Sequence, residues 1–108
     1  EQIETIRGVH ELLTRDLSSR ITIDELSRRA HMNPSTLKTL FKVVYGQSIA
    51  AHAKEHRMEK AASLLKETDA SIAEISAAVG YESQSKFTAE FRKAFQMSPT
   101  EYRKRTRK

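Results

Sequence analysis

Two sets of small or basic residues recur along the chain with the spacing of one helical face. They are Ser35, Thr39 and Lys42 in the first set and Ser85, Ala89 and Arg92 in the second. Residues that follow one another at intervals of four and three lie on one side of an α-helix. Hydroxyl and ammonium groups there can bond base edges, while cations further along can contact phosphates. One such side is typical of any solvated helix, but two matched sides favour contact with nucleic acid.

Two histidines have the spacing of metal ligands. His52 and His56 are one helical turn apart, so that both rings can reach one ion. The sequence offers no obvious third ligand, and Lys54 and Arg57 would repel a cation. We therefore interpret both histidines as structural or solvated, and we predict that the chain holds no metal and no cofactor.

Arg57 falls on the apolar side of a predicted helix. A buried guanidinium group requires a partner charge. We predict a structural ion pair with Glu74 or Glu25, and contact with a phosphate is the alternative.

Nothing in the sequence is typical of an enzyme. The 108 residues include no cysteine, and Gly8, Gly46 and Gly80 stand too far apart for a phosphate-binding loop. No apolar run approaches the roughly 20 residues of a membrane span, and no signal peptide is recognisable. We therefore predict a cytoplasmic protein that is not an enzyme. Because its first residue is Glu1 and not Met, we expect a fragment of a longer chain.

The net charge is mildly basic. Nineteen lysines and arginines face 14 acidic residues, which gives +5. Much of the excess is concentrated in residues 97–108, which carry five basic side chains and one acidic side chain. A basic tail of this kind is typical of a solvated end. The positive charge therefore favours a nucleic acid as the partner. Non-specific DNA binding through the basic tail is one alternative to sequence-specific binding.

The two sets belong to a unit that occurs twice. Residues 22–27 align with residues 71–76 at an offset of 49. The second copy then contains one extra residue, so that the later positions align at an offset of 50. The further aligned pairs are Asn33 with Ser83, Leu37 with Phe87, Phe41 with Phe91, Lys42 with Arg92, Tyr45 with Phe95 and Ser48 with Ser98. Two copies are too few for a solenoid, so the repeat predicts a duplicated small unit.

Each copy begins with the start signal of a short helix. Thr22 and Ser71 are each followed three residues later by glutamate, which is the pattern of a capping box. The capping boxes predict helices over 23–30 and 72–79.

A tight turn and a second helix follow in each copy. His31 and Gly80 stand at the turn, and both residue types are tolerated at positive φ. Asn33, followed by Pro34, and Ser83 are suited to cap the second helices. Helix, tight turn and helix form a helix-turn-helix unit. The predicted units cover about residues 23–44 and 72–95.

Apolar residues predict the buried side of each second helix. They are Leu37, Leu40, Phe41 and Val44 in the first copy and Phe87, Phe91, Ala94 and Phe95 in the second. An apolar stripe also predicts an opening helix, with Ile3, Ile6, Val9, Leu13 and Leu17. Ser98 can cap a last short helix.

A long helix over about residues 49–66, capped by Ser48, joins the two copies. Its apolar residues cover nearly half its circumference, so we expect it to pack against both units. About 18 residues span about 27 Å, and successive major grooves are about 34 Å apart. The sequence therefore predicts an all-α fold of seven helices, with two helix-turn-helix subdomains joined by a long central helix in one domain over residues 1–108.

The complete pattern resembles the AraC/XylS family of bacterial transcription regulators over about residues 5–103. The residues that carry the resemblance in the first half are Leu26, Ala30, Phe41-Lys42, Gly46, Ser48, Arg57-Met58, Ala61 and Leu64-Leu65. In the second half they are Ser71-Ile72, Glu74-Ile75, Val79-Gly80-Tyr81, Ser85, Phe87, Phe91-Arg92, Phe95, Ser98-Pro99 and Tyr102-Arg103. A signature of this length and spacing is highly specific.

The resemblance implies a domain that binds asymmetric sites on double-stranded DNA in two adjacent major grooves. It also implies a bacterial activator that contacts RNA polymerase, associates with the nucleoid when bound, and carries a sensing domain upstream. The residues expected to contact bases are Ser35, Thr36, Lys38 and Thr39, then Gln84, Ser85, Lys86 and Ala89. Those expected to contact phosphates are Lys42, Thr88 and Arg92. We define the first recognition face as Ser35, Thr36, Lys38, Thr39 and Lys42. The second recognition face consists of Gln84, Ser85, Lys86, Thr88, Ala89 and Arg92.

Departures from the family's pattern concern mainly the second unit. Ala89 stands where a longer side chain would read bases, and Glu90 beside it opposes a phosphate. Ser27 and Ser76 replace a frequent alanine, which threatens little. We therefore expect the second unit to read sequence more weakly. A helical protein-interaction module without DNA binding is the alternative function.

Overall fold

The computed structural model describes residues 2–107, which form seven α-helices and no strand. The helices are α1 (Gln2–Arg15), α2 (Ile23–Ala30), α3 (Pro34–Tyr45), α4 (Ile49–Glu67), α5 (Ile72–Ala78), α6 (Gln84–Phe95) and α7 (Pro99–Thr106). The predicted all-α fold is confirmed, and the central helix ends one residue later than predicted. Glu1 and the last residue of the basic tail, Lys108, lie outside the described residues. Between residues 2 and 107 no helix combines the length and the apolar character that crossing a membrane requires.

The helices form two compact units, Glu1–Glu55 and His56–Lys108, and the division falls within α4. The buried residues of the first unit are Ile6, Val9, Leu13, Leu26, Ala30, Leu37, Phe41, Ile49 and Ala53. Leu37 and Phe41 are both 0% exposed. Full burial of an apolar side chain of this size stabilises the fold by about 1.5–3 kcal/mol. These two residues therefore fix α3 by its apolar side and leave the opposite side to solvent.

The second unit repeats this arrangement with larger rings. Its buried residues are Met58, Ala61, Ala62, Leu65, Ile75, Val79, Tyr81, Phe87 and Phe91. Phe87 and Phe91 have no exposed surface, and their ring centroids are 5.8 Å apart. They fix α6 as Leu37 and Phe41 fix α3.

Three expected apolar positions are exposed in the structure. Ile3 is 52% exposed and Val44 37% exposed, and Ala94 is also exposed. Val44 and Ala94 each precede the last residue of a helix, where the aromatic neighbour turns inward instead. The Tyr45 ring lies 4.8 Å from Phe41, and the corresponding pair of the second unit, Phe95 and Phe91, lies 4.5 Å apart.

The two capping boxes differ in the structure. Ser71 and Glu74 form both bonds of the box, at 3.0 and 2.8 Å. The Thr22 hydroxyl accepts from the Glu25 amide at 3.1 Å, but both carboxylate oxygens of Glu25 pair with arginines one turn further along, Arg28 and Arg29. Charge-assisted bonds are stronger than the bond to a neutral amide, so the second half of this box gives way to the ion pairs.

Hydrogen bonding also affects the acidity of Glu25. The bond from Arg29, and after it the bond from Arg28, lowers the pKa of the Glu25 carboxyl. Glu25 in turn raises the pKa of Arg28. Two of the cations of α2 are therefore occupied by one carboxylate.

The turns adopt the predicted left-handed conformation. His31 has φ 55° and Gly80 has φ 87°. The His31 amide donates to the Arg28 carbonyl at 3.2 Å, which closes the end of α2. The positive φ redirects the chain within a few residues, so that the second helix of each unit packs across the first.

The basic tail is not simply a solvated end, which corrects the sequence interpretation. Arg103 of α7 is half-buried and donates to the carbonyls of Leu65, Thr68 and Ala70 at 2.9, 3.1 and 2.7 Å. Arg107 donates to the Thr68 carbonyl at 3.0 Å. Carbonyls at the end of a helix lack intrahelical donors and attract cations. Part of the terminal charge therefore holds α7 against the end of α4.

Arg57 is buried, with 6% of its surface exposed. The alternative of a phosphate contact is therefore wrong, and burial favours the structural role. The two carboxylates predicted to pair with Arg57 make other contacts in the structure. Glu25 binds neighbouring arginines, and Glu74 binds the amide of Ser71.

Candidate nucleic-acid interface

The start of α3 is fixed by its cap. The Asn33 side chain accepts a hydrogen bond from the Thr36 amide at 2.8 Å, and Pro34 occupies the first helical turn. At the other end Gly46, with φ 77°, closes the helix through a bond from its amide to the Lys42 carbonyl at 2.8 Å. Together with the buried apolar side, these caps determine which residues α3 presents outward.

The first recognition face is largely accessible. Ser35, Lys38, Thr39 and Lys42 are exposed, while Thr36 is half-buried. Three of these residues, Lys38, Thr39 and Lys42, line one open depression of about 500 Å³. Ser35 and Thr36 lie in the first turn of α3 and do not line it.

The start of α4 forms part of the same depression. Ser48, Ile49 and Ala50 line it beside the two lysines, and the Ser48 hydroxyl accepts from the Ala51 amide at 3.1 Å. A helix N-terminus carries a partial positive charge. Two ammonium groups and a helix N-terminus therefore face the same space, which suits an anionic partner.

The start and end of α6 are fixed in the same way. The Ser83 hydroxyl accepts from the Lys86 amide at 3.1 Å. Gln96, with φ 64°, closes the helix through a bond from its amide to the Arg92 carbonyl at 2.8 Å. Gln96 thus adopts the left-handed conformation that Gly46 adopts after α3.

The second recognition face is also mostly exposed, with only Thr88 half-buried. Five of its six residues line an open depression of about 530 Å³, namely Gln84, Ser85, Thr88, Ala89 and Arg92. Lys86 is exposed but does not line this depression. The first depression contains two lysines, whereas the second contains one arginine.

Glu90 is directed partly into the protein. Its side chain is half-buried and its Oε1 atom is inaccessible to solvent. One oxygen of Glu90 is therefore shielded from solution, and its repulsion of a phosphate stays a prediction.

Two buried serines strengthen the turns, a role the sequence analysis did not assign. Ser27 is 5% and Ser76 is 2% exposed. The Ser27 hydroxyl donates to the Met32 carbonyl at 3.0 Å, and the Ser76 hydroxyl lies 3.5 Å from the Ser83 carbonyl. Their matched positions in the repeat were the available signal. Each serine links the first helix of its unit to the segment that leads into the recognition helix.

Comparison with known proteins identifies the fold and the family. A helix-turn-helix domain family matches residues 26–105. Over 103 residues the chain is 29% identical to the HTH-type transcriptional activator RhaR of Mannheimia succiniciproducens. The aligned region makes up 95% of this chain and 37% of RhaR. The chain therefore spans little more than a third of that relative.

Solved structures agree with this assignment. The C-terminal domain of AraT, a response regulator of Geobacillus stearothermophilus, superposes with a TM-score of 0.91 at 30% identity, covering 96% of this chain and 87% of that one. The DNA-binding domain of AdpA, a global transcriptional factor solved with a target DNA, shares the fold with a TM-score of 0.87 at 24% identity, over 93% and 90% of the two chains.

Family, fold and exposed faces agree. Two capped helix-turn-helix units each present a polar and basic side of their second helix, and the matching family covers most of the chain. The relatives are transcription regulators and not enzymes. The chain belongs to the AraC family of transcription regulators, as a DNA-binding domain with two helix-turn-helix units.

Proposed function

We propose that the chain recognises a specific double-stranded DNA sequence by placing α3 and α6 in two adjacent major grooves. The observation that carries the proposal is the matched pair of depressions along the two recognition helices. Each brings a cation together with polar side chains of one helix. Groove recognition requires this combination, because cations position the protein on phosphates and polar side chains read base edges.

The residues have distinct proposed roles. Ser35, Thr36, Lys38 and Thr39 contact bases in one groove, and Gln84, Ser85, Lys86 and Ala89 contact bases in the other. Lys42, Thr88 and Arg92 contact phosphates. Supporting this division, Lys42 and Arg92 follow the first turns of their helices and are exposed.

The length of α4 is compatible with two adjacent grooves. Its 19 residues correspond to about 28 Å of helix, against about 34 Å between successive major grooves. The proposed site is asymmetric because the two recognition faces differ in sequence.

The regulatory output is proposed to be activation of transcription through RNA polymerase in the bacterial cytoplasm. The name of one relative, the transcriptional activator RhaR, supports this direction. A sensing domain in the full-length protein is part of the same proposal, in line with the greater length of RhaR. Transcription with purified polymerase, with and without the protein, measures the output directly.

A gel-shift titration at two salt concentrations tests DNA binding. With two cations on phosphates, Lys42 and Arg92, the affinity should fall about 12-fold between 50 and 200 mM salt, because each neutralised phosphate releases condensed counterions. Selection from random oligonucleotides should then return one preferred sequence. A helical interaction module would bind no DNA at physiological salt, and binding through the basic tail alone would return no preferred sequence.

A further inference from the structure

Three histidines lie close together, and the rings of two of them, His10 and His52, contact aromatic rings of α3. His10 of α1 and His52 of α4 are in contact, with their Nε2 atoms 2.9 Å apart. His56 follows His52 by one turn of α4. One ring nitrogen from each histidine lies within 4.8 Å of the other two. Local spacing does not identify His10 as a third ligand for His52 and His56, since His10 stands 42 residues before His52.

Aromatic contacts hold two of the rings in place. His10 stacks on Tyr45 at 4.6 Å with an interplanar angle of 16°. His52 meets the edge of Phe41 at 5.6 Å and is tilted against Tyr45 at 5.3 Å. All three histidines are half-buried, so an ion could reach them from solution while much of their surface stays shielded.

The partner of His52 determines which nitrogen is available. His52 Nδ1 lies 2.6 Å from Gln47 Oε1. An amide oxygen only accepts, so Nδ1 carries the proton and Nε2 of the neutral ring presents its lone pair towards His10. Histidines that bind metals almost always donate their other ring proton to an oxygen in this way. Gln47 therefore orients His52 as a ligand.

We propose that His10, His52 and His56 bind one divalent transition-metal ion, with zinc as the best match. Zinc accepts three imidazole nitrogens at about 2.0–2.1 Å in a tetrahedron and leaves a fourth position to water. In such a tetrahedron two ligand nitrogens are about 3.4 Å from each other. In the structure the histidine nitrogens lie between 2.9 Å and 4.8 Å apart. Small side-chain rotations are enough to form the site.

The site needs only one tertiary contact, the one between His10 and His52 in the first unit. The separation of His52 and His56 is set by the continuous helix α4. Lys54, which was expected to repel a cation, is exposed and lies about 200° from each of these histidines around the helix. It therefore points away from the ion.

Metal binding requires a change of tautomer at His10. Without an ion, one of the facing Nε2 atoms must donate to the other, and His52 Nε2 is the acceptor. When the ion binds, the proton of the neutral His10 ring moves from Nε2 to Nδ1, so that the Nε2 lone pairs of both rings turn to the metal. The ion then links α1 to α4 and stabilises the folded chain, because it binds the native state.

Calorimetric titration of the 108-residue chain with Zn²⁺ tests the proposal. We expect one equivalent to bind and the Tm to rise by about 10 °C at a hundredfold excess over Kd. Mg²⁺, which prefers oxygen ligands, should bind at least a hundredfold more weakly. Absence of one-to-one Zn²⁺ binding would overturn the proposal.

Variants identify the ligands. His10→Gln, His52→Gln and His56→Gln should each weaken Zn²⁺ binding by more than tenfold, and Gln47→Ala, which keeps all three ligands, by about tenfold. The control is His31→Asn, an exposed histidine whose left-handed conformation asparagine tolerates. Equal weakening by His31→Asn, or unchanged binding in His10→Gln, contradicts the site.

The absorption spectrum of bound Co²⁺ gives a second readout that does not depend on stability. Tetrahedral nitrogen coordination should produce visible bands in the original chain and in His31→Asn, and these bands should be lost in the three ligand variants. Bands that persist in all three variants would place the metal elsewhere.

Discussion

On the two recognition faces, we propose that individual cations set the affinity for DNA and individual polar side chains set the sequence preference. Lys42 and Arg92 occupy matching positions of the repeat, and each lines the depression of its own helix. Lys38 shares the first depression with Lys42, whereas Ala89 occupies the centre of the second recognition face. Substitutions at these positions therefore test the proposed division between phosphate contacts and base contacts.

Lys42→Ala and Arg92→Ala should each weaken binding to all DNA sequences alike. The loss of one phosphate contact lowers the salt slope of binding by about one unit, which titrations at several salt concentrations measure. Lys66→Ala, an exposed lysine in the last turn of α4, serves as the control and should leave the slope unchanged. A changed base preference in either variant would show that its side chain reaches the bases.

Lys38→Ala should relax the preference within one half of the site, and Ala89→Arg should alter the preference in the other half. A good base-edge pair discriminates by about 1–3 kcal/mol, whereas a methyl contact offers no hydrogen bond that a wrong base leaves unmade. Sequence selection with both variants measures these changes. If Lys38→Ala lowers affinity uniformly, Lys38 contacts a phosphate together with Lys42.

At the scale of the elements, the recognition helices are placed by their ends as much as by their cores. Each begins at a side-chain cap and ends at a residue in the left-handed conformation, Gly46 after α3 and Gln96 after α6. A glycine is favoured there because a Cβ atom is strained at positive φ.

Gly46→Ala should destabilise the fold by about 1–2 kcal/mol, since φ is +77° although no atom lies within 4 Å of an added Cβ. Gly8→Ala is the matched control, because it also meets no atom within 4 Å but lies inside α1. Helix propensity predicts that Gly8→Ala stabilises by about 1 kcal/mol. Urea unfolding of both variants measures the difference, and a neutral Gly46→Ala would contradict the conformational argument.

For the whole molecule, the duplicated unit predicts the size of the DNA site. One chain carries two recognition helices, so it should protect about 20 base pairs, or two helical turns, without a second copy. Footprinting at a measured protein-to-DNA ratio tests this expectation. Protection of a single turn, or a requirement for a two-fold symmetric site, would rule out simultaneous use of both helices.

The sequence by itself determined the seven helices, the two turns and the exposed sides of α3 and α6. These features depend on signals within a few residues, such as the Ser71 cap, the positive φ of His31 and the helical spacing of Leu37 and Phe41. Such short-range preferences act before any distant contact forms, which explains why they are readable in one chain.

Only the tertiary structure decided the partners of Arg103 and His10. Arg103 binds carbonyls 33–38 residues away, and His10 meets His52 across 42 residues. Long side chains can reach several partners from one backbone position, so packing of the helices, and not local spacing, selects the partner.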